Sequence, residues 1–490
     1  MKSAILLIIL TVIGKATGLG KDVLTTSYFG VSLVTDAFFL STYISSLIYI
    51  ALYGSISLII VPAYQSYKKG KVKSGSFNFA ILVMLVVSVF LSFISFIFSD
   101  EIIRFFYYGD SGEETLLASE YLKLMVITYP LSTCVGILNA ISSVKMKPMY
   151  VYLNPVINNI SFCVLVFWFC DGTSFEPILL GAIGAWFVIL LVNLTGYDNV
   201  FSKMVGIFKF ISPNSRLLLV SGVSITFTLV EQMMNFVPVY ISSYFGSGAI
   251  SYYSLASKLT LLFLSLSLLV INTHVYPKFS KMNNLSSVVN VIQQFLPLLF
   301  SFLFAVVSFS IVFSVDIIRL VFERGKFDSN DAESVALVFT IIVVMVPFVL
   351  IKDLSTRALF SQGEGISCLK NILFFLLLMT GFFVLTIDYL EFLESLMAYV
   401  FFVILFSLYM YGKAFVNNGI NEILNHIFII LKYLVISTLL SFIIRSVSVS
   451  FCFSAFIYLV SYSFIMFLIK DDSFIKLHEI LSRRKNEKTV

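Results

Sequence analysis

The sequence predicts an all-α polytopic membrane protein with about fourteen transmembrane helices. Three observations predict this fold class: an apolar composition, a one-sided distribution of basic residues between the apolar runs, and an internal repeat. Of the 490 residues, 59% are hydrophobic and 12% are charged, whereas soluble proteins average about 25% charged residues. The polar segments are too short to bury a core of their own, which excludes a separate soluble domain.

The apolar runs are each long enough to cross a bilayer as a helix, which takes about 20 residues. The five cysteines lie in or beside these runs without the spacing of metal ligands, and we interpret them as packing residues. The predicted spans are residues 4–28, 34–61, 77–98, 120–144, 150–170, 177–197, 214–243, 249–275, 292–314, 335–358, 368–387, 392–414, 427–447 and 450–470.

The basic residues predict the orientation of these spans. With the N-terminus inside, 23 of the 32 Lys and Arg residues fall in inner segments and five in outer loops. Cytoplasmic loops retain an excess of Lys and Arg, so this asymmetry indicates that both termini are cytoplasmic.

An internal repeat predicts the domain organisation. The string Ser-Tyr-Phe-Gly at 27–30 recurs at 243–246, an offset of 216 residues, and Ile-Ile-Arg at 102–104 recurs at 317–319, an offset of 215. A constant offset indicates a duplicated unit. Six spans per unit is an even number, so the units are parallel repeats related by an axis along the membrane normal. The predicted parts are an N-terminal six-helix lobe (1–198), a C-terminal six-helix lobe (214–415), two extra helices (427–470) and a cytoplasmic tail (471–490).

The first span carries charges where a membrane segment normally has none, namely Lys15, Lys21 and Asp22. A charge at the bilayer centre costs about 3 to 15 kcal/mol, so such residues usually face a watery cavity or a partner and mark a transport path. Gly14 and Gly18 form a small-xxx-small pair, which predicts close packing of this helix on a neighbour. The alternative is that Lys21 and Asp22 form a neutralised pair with a packing role alone.

Further charges lie in the first and second spans of each repeat: Asp36, Glu231 and Lys258. We expect the cations Lys15, Lys21 and Lys258 to converge with the acidic residues on one cavity between the lobes, where they would bind an anion such as a diphosphate. Asp22, Asp36 and Glu231 are predicted to line or gate that cavity. The alternative is a set of isolated salt bridges that hold the lobes together.

The sequence does not predict an enzyme. It lacks a nucleophile beside a base and paired metal-ligating histidines, and His274, His426 and His478 are scattered at loop edges. Catalytic use of Asp36 and Arg104 in short outer segments is a minor alternative.

Several motifs resemble the MviN/MurJ family of lipid-linked glycan flippases within the multidrug/oligosaccharidyl-lipid/polysaccharide exporter superfamily. The resemblance covers roughly residues 10 to 470. The motifs are Gly-Leu-Gly-Lys-Asp at 18–22, Tyr-Phe-Gly at 28–30, Thr-Asp-Ala-Phe-Phe at 35–39, Gly-Ile-Leu-Asn at 136–139, Asn-Pro at 154–155, Ala-Ser-Lys-Leu at 256–259 and Phe-Glu-Arg-Gly-Lys-Phe at 322–327.

The resemblance implies that Lys15, Lys21 and Lys258 occupy the family's basic cavity positions and that Asp36 is its acidic residue at the start of the second span. Peptidoglycan flippases usually have arginine at those three basic positions, and Lys does not reproduce the bidentate grip of Arg on a diphosphate. We therefore expect the substrate to be an undecaprenyl-diphosphate-linked oligosaccharide for O-antigen, capsule or a related polymer. The alternatives are a lipid II flippase for peptidoglycan synthesis and, more distantly, a cation-coupled drug antiporter.

The resemblance also implies alternating access, with the polyprenyl tail staying in lipid along a groove beside the last two spans. No cofactor is expected beyond a coupling ion, Na⁺ or H⁺, or the membrane potential. The expected partners are the polyprenyl-diphosphate glycan, membrane lipid and other envelope-polysaccharide assembly proteins, with no nucleic acid. The expected location is the bacterial cytoplasmic membrane.

Overall fold

A computed structural model of the protein describes residues 2–68, 74–108, 112–144, 149–170, 172, 174–195, 215–270, 285–361, 364–415, 420–447 and 450–469. All regular elements in these ranges are helical. They are α1 (Lys2–Phe29), α2 (Leu33–Lys68), α3 (Ser74–Ile97), α4 (Ser99–Phe106), α5 (Gly112–Met125), α6 (Thr128–Val144), α7 (Met149–Phe169), α8 (Glu176–Thr195), α9 (Ser215–Tyr244), α10 (Ala249–Val270), α11 (Leu285–Val312), α12 (Ser314–Phe322), α13 (Ser329–Ile342), α14 (Val346–Ser361), α15 (Gly365–Thr386), α16 (Phe392–Phe415), α17 (Ile420–Ser446) and α18 (Phe451–Leu468), with short 3₁₀ turns at Val343–Met345 and Ile387–Tyr389.

Every one of the fourteen predicted spans overlaps a helix or a pair of consecutive helices among the described residues. Seven helices there are long and apolar enough to cross a membrane singly, and counting each bent pair as one span raises the number to ten. Helices satisfy their backbone hydrogen bonds internally, which a hydrocarbon environment requires. The predicted fold class, an all-α polytopic membrane protein, is confirmed.

Two spans turn sharply into short amphipathic helices. The axis bends by 81° between α3 and α4 and by 82° between α11 and α12. The residues at the bends, Phe98 and Phe313, share nearly the same backbone conformation, with ψ of 26° and 23° in place of the negative ψ of a helix. Their positions differ by 215 residues, so the offset of the sequence repeat recurs in the backbone geometry.

The chain forms two compact units. Unit 1 comprises Met1–Leu255, Arg324–Asp331 and Gly365–Ser395, and unit 2 comprises Ala256–Glu323, Ala332–Glu364 and Leu396–Val490. In unit 1, α9 packs on both α2 and α15, so the unit boundaries differ from the lobes drawn at 1–198 and 214–415. Assignment of those lobes by the repeat stays a prediction, and the predicted tail lies outside the described residues.

Unit 1 has a chain of polar side chains through its helical core. Asn193 donates to Asn154 at 2.7 Å, Asn154 donates to Asn139 at 2.9 Å, and Asn139 donates to the Tyr53 hydroxyl at 2.7 Å. The four side chains belong to α8, α7, α6 and α2. Polar groups that pair across helices hold membrane bundles together, typically by about 0.6 to 2 kcal/mol each.

In unit 2, hydrogen bonds of buried hydroxyl groups connect α11 to the last two helices, α17 and α18. Tyr458 and Tyr462 on α18 donate to the carbonyls of Ala305 and Ser301, each at 2.9 Å. The Ser308 hydroxyl lies 2.8 Å from the Ser437 hydroxyl on α17. The two extra helices predicted at 427–470 therefore both pack on α11.

Candidate functional site

The charged residues of α1 differ in how far their side chains are buried in the protein. Lys15 is exposed, whereas Lys21 and Asp22 are half-buried. The Lys21 ammonium lies 4.6 Å from the centre of the Phe162 ring on α7, where the electron-rich ring face attracts a cation. Lys21 thus packs against α7, whereas Lys15 is accessible at the surface of α1.

Two glycines set the close approach of α1 to α7. The Asn159 side-chain amide donates to the Gly14 carbonyl at 2.9 Å. A Cβ at Gly14 would lie 3.3 Å from the Pro155 Cβ, and one at Gly18 would lie 3.2 Å from the Asn159 amide nitrogen. The predicted small-xxx-small contact is confirmed, because side chains at these positions would push the two helices apart.

The remaining predicted cavity residues are distributed over both units. Glu231 on α9 and Lys258 on α10 are half-buried. Convergence of the predicted set on one cavity stays a prediction. One member, Lys258, belongs to unit 2. The other five belong to unit 1: Lys15, Lys21, Asp22, Asp36 and Glu231.

Asp36 is fully buried near the start of α2 and caps a different helix, α10. Its carboxylate accepts hydrogen bonds from the backbone N–H of Gly248, from the backbone N–H of Ser251 at 2.8 Å, and from the Ser251 hydroxyl. The first N–H groups of a helix lack partners within the helix and carry partial positive charge. Asp36 therefore ties the start of α2 to the start of α10, and its role in lining or gating a cavity stays a prediction.

A second contact joins the α12–α13 loop to the end of α1 within unit 1. The Lys326 backbone N–H donates to the Ser27 carbonyl at 2.9 Å. Gly325 has φ of +63°, and a Cβ there would lie 2.2 Å from the Ser27 oxygen. Gly30, with φ of +62°, faces the same loop, and a Cβ there would lie 2.8 Å from the Lys326 carbonyl oxygen. Only glycine fits at either position.

A third contact mirrors the second. The Tyr108 backbone N–H, just after α4, donates to the Ser243 hydroxyl oxygen at 3.1 Å. Ser27 and Ser243 begin the two copies of the Ser-Tyr-Phe-Gly string, and α4 and α12 are the two repeat-related short helices. Each repeat therefore extends a loop to the equivalent serine of the other. We call the Asp36–Ser251, Lys326–Ser27 and Tyr108–Ser243 contacts together the latch.

The latch was only partly predictable. The sequence motifs included Gly30, Asp36, Gly325 and Lys326, but nothing in them indicated which residues they contact. The repeat gives a partial signal, because it makes α2 and α10 corresponding helices, and Asp36 and Ser251 lie near their starts.

Unit 2 contains an apolar groove of about 430 Å³ beside the helix predicted as the last span. Helices α11 and α18 form most of its wall, with Phe302, Phe309, Phe451 and Leu459 among the lining side chains. The family resemblance implies a tail groove beside the last two predicted spans, and α18 corresponds to one of them.

A family model described as lipid II flippase MurJ matches residues 25–467. The chain belongs to the MurJ family. Two probable lipid II flippases MurJ of Buchnera aphidicola are similar to it: that of subspecies Schizaphis graminum is 26% identical over 361 residues, 68% of this chain and 67% of the relative. That of subspecies Baizongia pistaciae is 27% identical over 412 residues, 78% and 76% of the two chains.

Solved structures of MurJ and of related exporters share the fold. A lipid II flippase MurJ in an inward closed conformation matches with a TM-score of 0.75 at 23% identity, covering 97% of this chain and all of that one. An inward-facing multidrug resistance MATE transporter of the MOP superfamily matches with a TM-score of 0.66 at 15% identity, covering 84% and 98%. At these identities the likeness concerns the fold alone.

Membership of the MurJ family confirms the predicted resemblance and the assignment to a transporter rather than an enzyme. It also places the protein as a multi-span protein of the bacterial inner membrane. The matches favour the peptidoglycan alternative over the surface-polysaccharide substrate expected from the lysines.

Proposed function

We propose that this protein moves lipid II, the polyprenyl-diphosphate-linked precursor of peptidoglycan, across the cytoplasmic membrane. The observation that supports this most strongly is the match of the MurJ family model to residues 25–467. The curated relatives that align with most of the chain carry the same name.

This proposal replaces the surface-polysaccharide substrate that the lysines led us to expect. That expectation depended on the presence of lysine at positions 15, 21 and 258, where peptidoglycan flippases usually have arginine. A lysine still binds phosphate as a point charge, so the exchange lowers geometric selectivity without removing affinity. A change of side-chain geometry at three positions is weaker support than a family match over residues 25–467.

In the proposed mechanism, the lysines of the predicted cavity bind the diphosphate while the tail stays in the membrane. The groove of about 430 Å³ in unit 2 is apolar along α11 and α18 and suits a prenyl chain. The latch holds the outer side closed while the headgroup enters from inside. Release to the outside then requires that the latch hydrogen bonds break.

The orientation and the driving force are part of the same proposal. The excess of Lys and Arg in the inner segments supports cytoplasmic termini. With that orientation the latch, at the starts of α2 and α10, is on the outer side. A coupling ion, Na⁺ or H⁺, or the membrane potential drives the transport cycle.

Complementation in two bacterial strains tests the substrate. One strain is depleted of its essential lipid II flippase, and the other lacks the flippase for a surface polysaccharide. We expect this protein to restore growth in the first and to leave the polymer of the second absent, at matched protein levels in both membranes. Restoration of the surface polymer alone would overturn the proposal and return the substrate to the other glycan class.

A further inference from the structure

Unit 1 contains an apolar cavity of about 420 Å³ whose lining includes no residue of α1 and, of the latch, only Tyr108. It lies between α4, α9 and α15, and its walls include Phe106, Phe236, Leu376 and Phe383. This volume is in the range of about 300 to 1,000 Å³ that small-molecule sites occupy. None of the predicted substrate residues lines it.

The cavity is deep along the spans and polar at one end. Its lining runs from Leu376 on α15 to Ile387 at the start of the following 3₁₀ turn, a rise of about 16 Å at 1.5 Å per residue. The hydrocarbon core of one leaflet is about 15 Å deep. Apart from Thr380 midway along the lined part of α15, the polar lining residues are Tyr108, Tyr240 and Asp388, which lie at or near the ends of α4, α9 and α15. A lipid chain of one leaflet therefore matches the cavity in depth.

The polar end combines aromatic rings with a carboxylate. The Tyr108 ring centre lies 6.3 Å from that of Tyr240 and 5.0 Å from that of Tyr244. The Tyr244 hydroxyl donates to the Asp388 carboxylate at 2.8 Å, and Asp388 is exposed. Residues 385–396 contain no Lys or Arg that would offset this charge. Tyrosine faces and a carboxylate both attract an ammonium group.

We propose that this cavity binds a phospholipid with an ammonium headgroup, phosphatidylethanolamine, with one acyl chain between α9 and α15 and the headgroup at Asp388 and the tyrosines. The lipid is a structural partner of the protein, distinct from the transported substrate. Its location in the outer leaflet depends on the proposed orientation, but its binding to the cavity does not.

Native mass spectrometry of the delipidated full-length protein tests this site. Titration with dioleoyl-phosphatidylethanolamine should give a first bound lipid with higher affinity than dioleoyl-phosphatidylglycerol. Asp388→Asn keeps an oxygen for the Tyr244 hydrogen bond but removes the charge, and it should weaken that first binding about five-fold, as expected for an interfacial ion pair. Glu391→Gln, a carboxylate three residues away outside the cavity lining, should leave it unchanged.

A second pair of variants tests the acyl-chain portion without disturbing the core. Val384 lines the cavity and is 77% exposed, whereas its neighbour Leu385 is 76% exposed and does not line it. Val384→Trp should abolish the preferential binding, and Leu385→Trp should not. Equal binding of the two phospholipids, equal behaviour of the two tryptophan variants, or displacement of the lipid by an undecaprenyl phosphate would each overturn the proposal. Growth of the flippase-depletion strain is a separate readout of the substrate.

Discussion

Ser251 donates two hydrogen bonds to Asp36, one from its backbone N–H at 2.8 Å and one from its hydroxyl. Asp36 lies near the start of α2, which follows the first copy of the Ser-Tyr-Phe-Gly string, and Ser251 lies near the start of α10, which follows the second copy. The pair thus joins corresponding helices of the two sequence repeats. A contact between the repeats is sensitive to their relative rotation, and this makes it suited to a gate.

Asp36→Asn should impair transport and lower the melting temperature of the purified protein. The fully buried carboxylate accepts three hydrogen bonds, whereas an asparagine offers one oxygen and turns an NH₂ group toward N–H donors. Hydrogen bonds to charged groups are worth about 1.5 to 3 kcal/mol each. Ser251→Ala removes a single donor and should have the smaller effect. Growth rescue and melting equal to the wild type for Asp36→Asn would show that the pair has no gating role.

Gly325→Ala should abolish rescue or strongly reduce the amount of folded protein. The new Cβ would lie 2.2 Å from the Ser27 oxygen at a residue with φ of +63°, which forces the loop away from α1. Gly246→Ala is the matched control, since Gly246 has φ of +90° but no atom within 4 Å of the new Cβ. That variant should cost only about 1 to 2 kcal/mol of backbone strain. Equal melting temperatures for the two variants would contradict the close contact.

Lys21→Ala and Lys258→Ala should each abolish transport while the protein still inserts in the membrane, because each removes a cation predicted to bind the diphosphate. Lys21→Arg should retain activity. Lys123→Ala is the control, since Lys123 is partly exposed and lies 3.4 Å from Asp100. The measurement is growth of the depletion strain at equal membrane protein levels. Full rescue by both alanine variants would remove the lysines from the substrate site.

The predicted orientation can be tested on one span. In a cysteine-free background, a cysteine at Tyr389 should react with an impermeant maleimide in intact cells, and a cysteine at Glu364 should react only after permeabilisation. Both positions are exposed and flank the 25-residue span Gly365–Tyr389. The opposite labelling pattern would invert the topology and place the latch on the cytoplasmic side.

The helices were predictable because a membrane imposes a simple rule, namely long apolar segments with internally paired backbones. The small pair Gly14 and Gly18 was predictable for a similar reason, since its spacing fixes which residues share a helix face. The bend at Phe98 was not predictable from the sequence. Hydropathy assigns Asp100, Glu101 and Arg104 to a loop, whereas α4 makes them the polar face of a short helix.

The contacts of the site were harder to predict than its residues. Asp36 stood out as a charge in an apolar run, but two of its three donors are backbone N–H groups, which no residue type identifies in a sequence. The Gly325 contact likewise depends on a positive φ and on a carbonyl about 300 residues away in the chain. Such pairings arise from tertiary packing, and a single sequence does not encode them locally.

The bends that create α4 and α12 also bear on how the protein responds to the bilayer. Each helix turns a buried isoleucine inward, Ile103 or Ile318, and an exposed apolar side chain outward, Phe105 or Leu320. An amphipathic helix perpendicular to its span rests at the boundary between headgroups and acyl chains. Such a helix fixes the depth at which the attached span lies in the bilayer. A change of membrane thickness by a few Å would therefore displace α4 and α12 first. The loops that follow these two helices contain Tyr108 and Lys326, which donate latch hydrogen bonds.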